Sequence, residues 1–268
     1  MARSETLTAR TFLLHGLLAG LVAGLLGFAV ASAVGEPPLA SAIALEGGHE
    51  ESGDGHTDGH THSHGDEPAE EPAVVSRDTQ STWGLLTGTT AIGLALGGLV
   101  ALGAAGAMGR LGRLRPGQST ALVAAVGFVA VALVPFLKYP ALPPGVGSGD
   151  TISERTASYF TFLLVSVVAA VLAVALASRL APARGLYVAT LTGSGGYLVV
   201  VVLAAAVLPA AQQLGDFPAD TLWSFRLGSL ATLATVWVVI GVVLSGLVGR
   251  TWARSQEREA RRELAASL

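Results

Sequence analysis

Six stretches of this chain run almost entirely apolar for 19 residues or more: Thr11–Val34, Trp83–Met108, Ser119–Leu137, Ala157–Ala177, Leu186–Leu208 and Leu227–Val248. The third is the shortest. A helix of roughly 20 residues crosses a hydrocarbon core about 30 Å thick and satisfies its own backbone hydrogen bonds, which lipid cannot do for it. Val, Ala, Gly and Leu dominate all six stretches with no polar/apolar alternation, so they predict helices and not the strands of a membrane barrel. The expectation is an all-α, polytopic membrane helix bundle of about six spans. Ala31-Ser32-Ala33 resembles a signal-peptidase site, and cleavage there would leave five spans and an external N-terminus, but the apolar run before it is too long for a typical signal.

Composition agrees with the pattern. With 51% hydrophobic residues against 13% charged, the chain has too few charges to clothe a soluble surface, and it is too apolar to be disordered throughout. Zero cysteines exclude a disulfide framework. A net charge of −3 provides no global basic field, so no nucleic-acid partner is expected.

The charges are nevertheless sorted. Both termini and the loops after the second and fourth stretches hold 12 of the 16 basic residues, among them Arg110, Arg115, Arg179, Arg184 and the arginines of the tail. The opposite side has only Arg77, Lys138, Arg155 and Arg226, together with 15 of the 19 acidic residues. Short loops rich in Lys and Arg stay in the cytoplasm, so the expected localisation is a multi-pass cell-membrane protein with both termini cytoplasmic. Four segments follow: 1–34, the cytoplasmic N-terminus and first span; 35–80, an external loop; 81–249, a membrane bundle of five further spans; and 250–268, a basic cytoplasmic tail.

The external loop breaks sharply from its surroundings and holds five of the six histidines: His49, His56, His60, His62 and His64. Asp54, Asp58, Asp66 and Glu67 lie among or next to them. Gly and Pro disfavour helix and strand, and nothing in the tract can build a core, so a His/acid-rich loop disordered when empty is expected. The alternation of His60, His62 and His64 would point three imidazoles the same way on an extended chain. Imidazole with carboxylate, without thiolate or thioether, suits borderline divalent ions such as Zn²⁺, Co²⁺, Ni²⁺ or Cu²⁺, and because the ion must order a floppy chain such a loop binds weakly and exchangeably. The bland alternative is a solvated spacer.

Within the spans the candidate pathway residues are His15, the ionisable side chain set deepest in a predicted helix, and an outer mouth around Asp150, Arg155, Asp220 and Arg226. His15 could instead hydrogen-bond a neighbouring carbonyl near the membrane edge. Glycines recur as Gly16, Gly20 and Gly24 in the first span and as Gly84, Gly88, Gly93, Gly97 and Gly98 in the second, a pattern for close helix packing. Thr192-Gly193-Ser194-Gly195-Gly196 could unwind the fifth span and expose carbonyls at membrane depth. Gly127 precedes Pro140 by 13 residues as Gly196 precedes Pro209, and Asp150-Thr151 and Arg155 match Asp220-Thr221 and Arg226, which suggests three parallel helical-hairpin repeats.

The run from His15 to Gly24, the His-rich loop, Pro140-Ala141-Leu142-Pro143-Pro144-Gly145 ahead of Arg155 and Tyr159, and Phe217-Pro218 ahead of Leu222-Trp223-Ser224-Phe225-Arg226 resemble the CbtA family of probable cobalt transporter subunits. The resemblance covers nearly the whole chain. Its motifs are short, and the specificity lies in their order and in the topology. It implies a multi-pass component of a cobalt importer serving cobalamin synthesis, with a small His-bearing membrane partner subunit. The transported ligand is then a divalent transition-metal ion, Co²⁺ first, with Ni²⁺ and Zn²⁺ as alternatives.

Other chemistries drop out. No P-loop is present and Lys138 is the only lysine, so no nucleotide is hydrolysed that way. His-Glu-x-x-His is absent too, and a floppy loop gives no rigid frame for catalysis, so an enzyme is not expected. Two readings remain: a subunit for metal uptake whose loop collects the ion, and a non-transporting metal-binding or sensor scaffold.

Overall fold

The structure is a computed structural model that describes residues 7–50, 76–112, 114–144, 146, 152–210 and 217–267, with the backbone alone for 46–50. Six helices among the described residues are long and apolar enough to cross a membrane: α1 (Ala9–Leu45), α2 (Arg77–Ala107), α3 (Pro116–Lys138), α4 (Ile152–Arg184), α5 (Leu186–Val207) and α6 (Ala219–Ala266). The six expected spans are therefore present. Most of the helices outrun their apolar stretches, because polar residues at the membrane edge continue a helix already nucleated in lipid.

The largest extension is in α1. Pro37 and Pro38 follow its apolar run, and the sequence reading closes the span at Val34; instead the turn Ala31–Gly35 widens to π geometry and helix resumes from Glu36 to Glu50. A proline ring crowds the carbonyl four residues earlier and donates no hydrogen bond, and a widened turn accommodates both faults without ending the helix. At 37 residues, α1 measures roughly 55 Å at 1.5 Å per residue, well beyond the membrane thickness. The same device recurs in α3, where the π turn Phe128–Leu133 ends two residues before Pro135.

Packing divides the helices into two groups that share α3. Phe12, Ala19 and Ala23 of α1, Val100, Ala101 and Ala104 of α2, Ala124 and Ala132 of α3, and Val236, Trp237, Ile240, Leu244 and Val248 of α6 form one core. The other joins Ala130 of α3 to Phe162, Ala169 and Ala170 of α4 and Tyr197 and Val201 of α5. The main pairings are α1 with α2 and with α6, α3 with α6, and α4 with α5.

These pairings are set by small residues. A Cβ on Gly16 or Gly20 would run into the Gly97 or Gly93 carbonyl, and one on Gly24 would come within 2.6 Å of the Thr90 Cα, so α1 and α2 meet backbone to backbone. Gly88 has nothing within 4 Å and takes no part. At the α3/α6 seam a Cβ on Gly127 would lie 2.7 Å from the Trp237 ring. Lipid is as apolar as the side chains, so close van der Waals approach and not hydrophobic burial selects helix partners. Large apolar side chains such as Leu14, Leu99, Leu164, Val202 and Val242 accordingly face outward. Trp83 and Trp223 at one end and Tyr187 at the other are exposed, as aromatic side chains are at membrane interfaces.

α5 is unbroken. Thr192 Oγ1 donates to Val188 O (2.8 Å) and Ser194 Oγ to Thr190 O, so the hydroxyls bond back into their own helix, and Gly193 receives the backbone of Ala173 in α4. The expected unwinding at Thr192–Gly196 does not occur; Gly193 serves helix contact. The positions that suggested an internal repeat also differ in surroundings: Gly127 seats Trp237, whereas Gly196 has nothing within 4 Å.

Candidate functional site

The bundle has a basic end, holding the start of α1, the α2–α3 and α4–α5 turns and the end of α6, and an opposite end bearing the start of α2, the α3–α4 connection and the start of α6. The candidate pathway residues fall at both. His15 lies six residues into α1, half-buried, its Nδ1 closed off from solvent, beside the Gly16 contact with Gly97 and Ala101. Arg155 and Arg226, both half-buried, and the exposed Asp220 stand at the far end. His15 is thus separated from the others by most of the membrane.

Arg155 borders a cavity of about 390 Å³ with Tyr139, Pro140, Leu142, Tyr159 and Phe160, between the end of α3 and the start of α4. Its shape comes from stacked aromatic rings: Tyr139 meets Tyr159 at 6.4 Å and Phe162 at 5.9 Å, both edge to face. Tyr139 OH donates to Pro209 O at 2.9 Å, and Lys138 Nζ donates to Ala205 O at 2.8 Å and Leu208 O at 3.1 Å. The last carbonyls of α5 have no intrahelical donors, so a cation there satisfies them and complements the helix dipole. Lys138 therefore fastens α3 to α5. Burial pushes the Tyr139 phenol up from its usual pKa, against a Ser158 hydrogen bond that lowers it, so its hydroxyl keeps the proton it donates. Among the described residues of this lining Arg155 is the charged one.

Halfway across the membrane sequence reasoning overlooked a polar cluster. Ser166 of α4 is fully buried, donates to Ala130 O at 2.8 Å and shares a hydrogen bond with Tyr197 OH at 2.9 Å, joining α3, α4 and α5. Ala130 sits inside the π turn, where the regular ladder is interrupted and a carbonyl can accept from a neighbouring helix. The available signal was Pro135, one residue type with a known effect on the carbonyls before it.

His56, His60, His62, His64, Asp54, Asp58, Asp66 and Glu67, and Asp150 at the mouth, lie outside the described residues; His49 falls on helical backbone whose side chain is not described. Among the described residues no three His, Cys, Asp or Glu side chains form a group able to hold a metal ion. One imidazole such as His15 is short of the four ligands a tetrahedral divalent ion takes, so it could bind an ion only together with carbonyls, hydroxyls, water or groups from elsewhere.

Six apolar helices, a glycine-packed interior and aromatic side chains at both ends define a polytopic membrane protein. Residues 9–249, from the start of α1 through the membrane part of α6, match the family model CbtA, probable cobalt transporter subunit. The chain belongs to the CbtA family, a family of probable cobalt transporter subunits and not of enzymes. No curated protein and no solved structure matches it.

Proposed function

We propose that this chain is the membrane subunit of an uptake system for a divalent transition-metal ion, cobalt first, whose external His-rich loop collects the ion for the helices to pass inward. The carrying observation is the family match, which runs from the start of α1 through the membrane part of α6. The charge asymmetry supports an orientation with both termini in the cytoplasm and the loop outside. In that orientation the helical extension Glu36–Glu50 stands on the outer side. Arg155 and Arg226 at the mouth would hold carboxylates in place, so the ion would enter accompanied by acidic groups such as Asp150 and Asp220. A small His-bearing membrane partner would complete the ligand set that His15 alone lacks.

One observation favours the scaffold reading: Phe12, Trp237, Ile240, Leu244 and Val248 plug the larger core with apolar side chains. Uptake of Co²⁺ into sealed vesicles separates the two. Accumulation with this chain, alone or with its partner, supports the uptake subunit; metal binding without accumulation in either preparation establishes the scaffold.

A further inference from the structure

Between α2, α3 and α4 an apolar cleft of about 460 Å³ opens at the basic end, walled by Gly103, Val126, Ala170 and Val174, with Arg110 and Arg179 as its charged residues. Both arginines are exposed and both stand at the same end of the cleft, where α2 and α4 leave the membrane. Along α4 the lining runs from Arg179 to Val167, a depth of roughly 18 Å at 1.5 Å per residue. That is close to half of a hydrocarbon core about 30 Å thick, or one leaflet. Immediately beyond, the Ser166 hydrogen bond to Ala130 O brings α4 against α3 and closes the cleft.

We propose that this cleft is a binding site for one anionic phospholipid, its phosphate held between Arg110 and Arg179 and an acyl chain laid between α3 and α4. Three features select that occupant. The lining carries charge only at the membrane surface and is apolar below it, which is the polarity of a lipid and not of a metal route. The depth fits one leaflet, whereas a partner's transmembrane helix would need a groove across both. A guanidinium presents five donors in a fork matched to phosphate, and the bond from Arg110 to Gly106 O leaves others to offer. Seated there, the lipid would fill the gap between the two helix groups on the side where α4 stands away from α2, and so couple them.

Native mass spectrometry of the full chain, released from micelles holding equal phosphatidylglycerol and phosphatidylcholine of the same acyl chains, tests the site. Two surface arginines correspond to a preference of roughly thirtyfold for the anionic lipid. Retention near that ratio, falling to parity in R110Q/R179Q, is the expected result; both side chains are exposed, and an unchanged elution profile and helical spectrum would show that the variant folds. Val171→Trp, which narrows the cleft and leaves the arginines in place, should lower retention of both lipids. Equal retention by the unaltered chain, or a preference that survives R110Q/R179Q, would overturn the proposal. Complete displacement of lipid by soluble glycerol phosphate would reduce the site to a phosphate contact, and a photo-crosslinker at Val171 that labels a polypeptide instead of lipid would assign the cleft to a protein; each is also a refutation.

Discussion

Ser166 hydrogen-bonds to two neighbouring helices inside the membrane, and its consequence is mechanical. Replacing it with Ala removes the donor to Ala130 O and the partner of Tyr197 OH at once. Hydrogen bonds between membrane helices average about 0.6 kcal/mol and reach about 1.7, so Ser166→Ala should destabilise the bundle by about 1 kcal/mol, with Tyr197→Phe costing less. Unfolding in mixed detergent would read both. His15 is different in kind, because an imidazole can ligate a metal where a serine hydroxyl scarcely does. His15→Ala should change the Co²⁺ to Ni²⁺ uptake ratio or abolish uptake; an unchanged ratio and rate would remove it from the pathway. The depth of His15 was legible, since hydropathy places a polar residue along a span. The importance of Ser166 was not, because one serine in an apolar run looks like any other until a neighbouring helix offers it a carbonyl.

Helices show the same division between what spacing reveals and what contact adds. Gly88 and Gly97 look alike in the second span, yet only Gly97 is pressed against a neighbouring backbone. Gly97→Leu should therefore separate α1 from α2 and deplete folded protein from the membrane, whereas Gly88→Leu should be tolerated. The amount of monodisperse protein extracted from membranes checks the pair. A glycine spacing announces a packing face but not which of its members meets the partner. Prolines do not end these helices: Pro37 and Pro38 lie within α1 and Pro135 within α3, because a π turn upstream absorbs the misfit in each case.

Orientation and metal preference are properties of the assembled protein. Tags after Leu268 and in the turn at 110–115 should be cytoplasmic, with residues 51–75 reachable from outside; labelling of that loop in inverted vesicles but not in intact cells would reverse the topology. An imidazole/carboxylate ligand set follows the Irving–Williams order and so binds Ni²⁺ at least as well as Co²⁺. Deleting residues 49–66 should then lower uptake at limiting metal while leaving the Co²⁺ to Ni²⁺ ratio intact. Only neutral imidazole ligates, and its ordinary pKa is about 6.5, so capture by the loop should also weaken as pH falls below about 6. Isothermal titration of the full chain against a loop-deleted form would measure that loss.

The number of spans, the all-helical class and the family were all readable from residue order. In lipid each spanning segment must satisfy its own backbone, so a span is a local, one-dimensional property written in consecutive residues. The pairing of α1 with α2 and α6, of α3 with α6 and of α4 with α5 was not written there. Neither were the passage of α1 through its prolines, the fastening of α5 by Lys138, or the joining of three helices at Ser166. The passage of α1 rests on its local π turn, and the others depend on the fit between surfaces distant in sequence. In a solvent as apolar as the side chains, no hydrophobic pattern announces which surfaces meet; close backbone approach and a few interhelical hydrogen bonds select them.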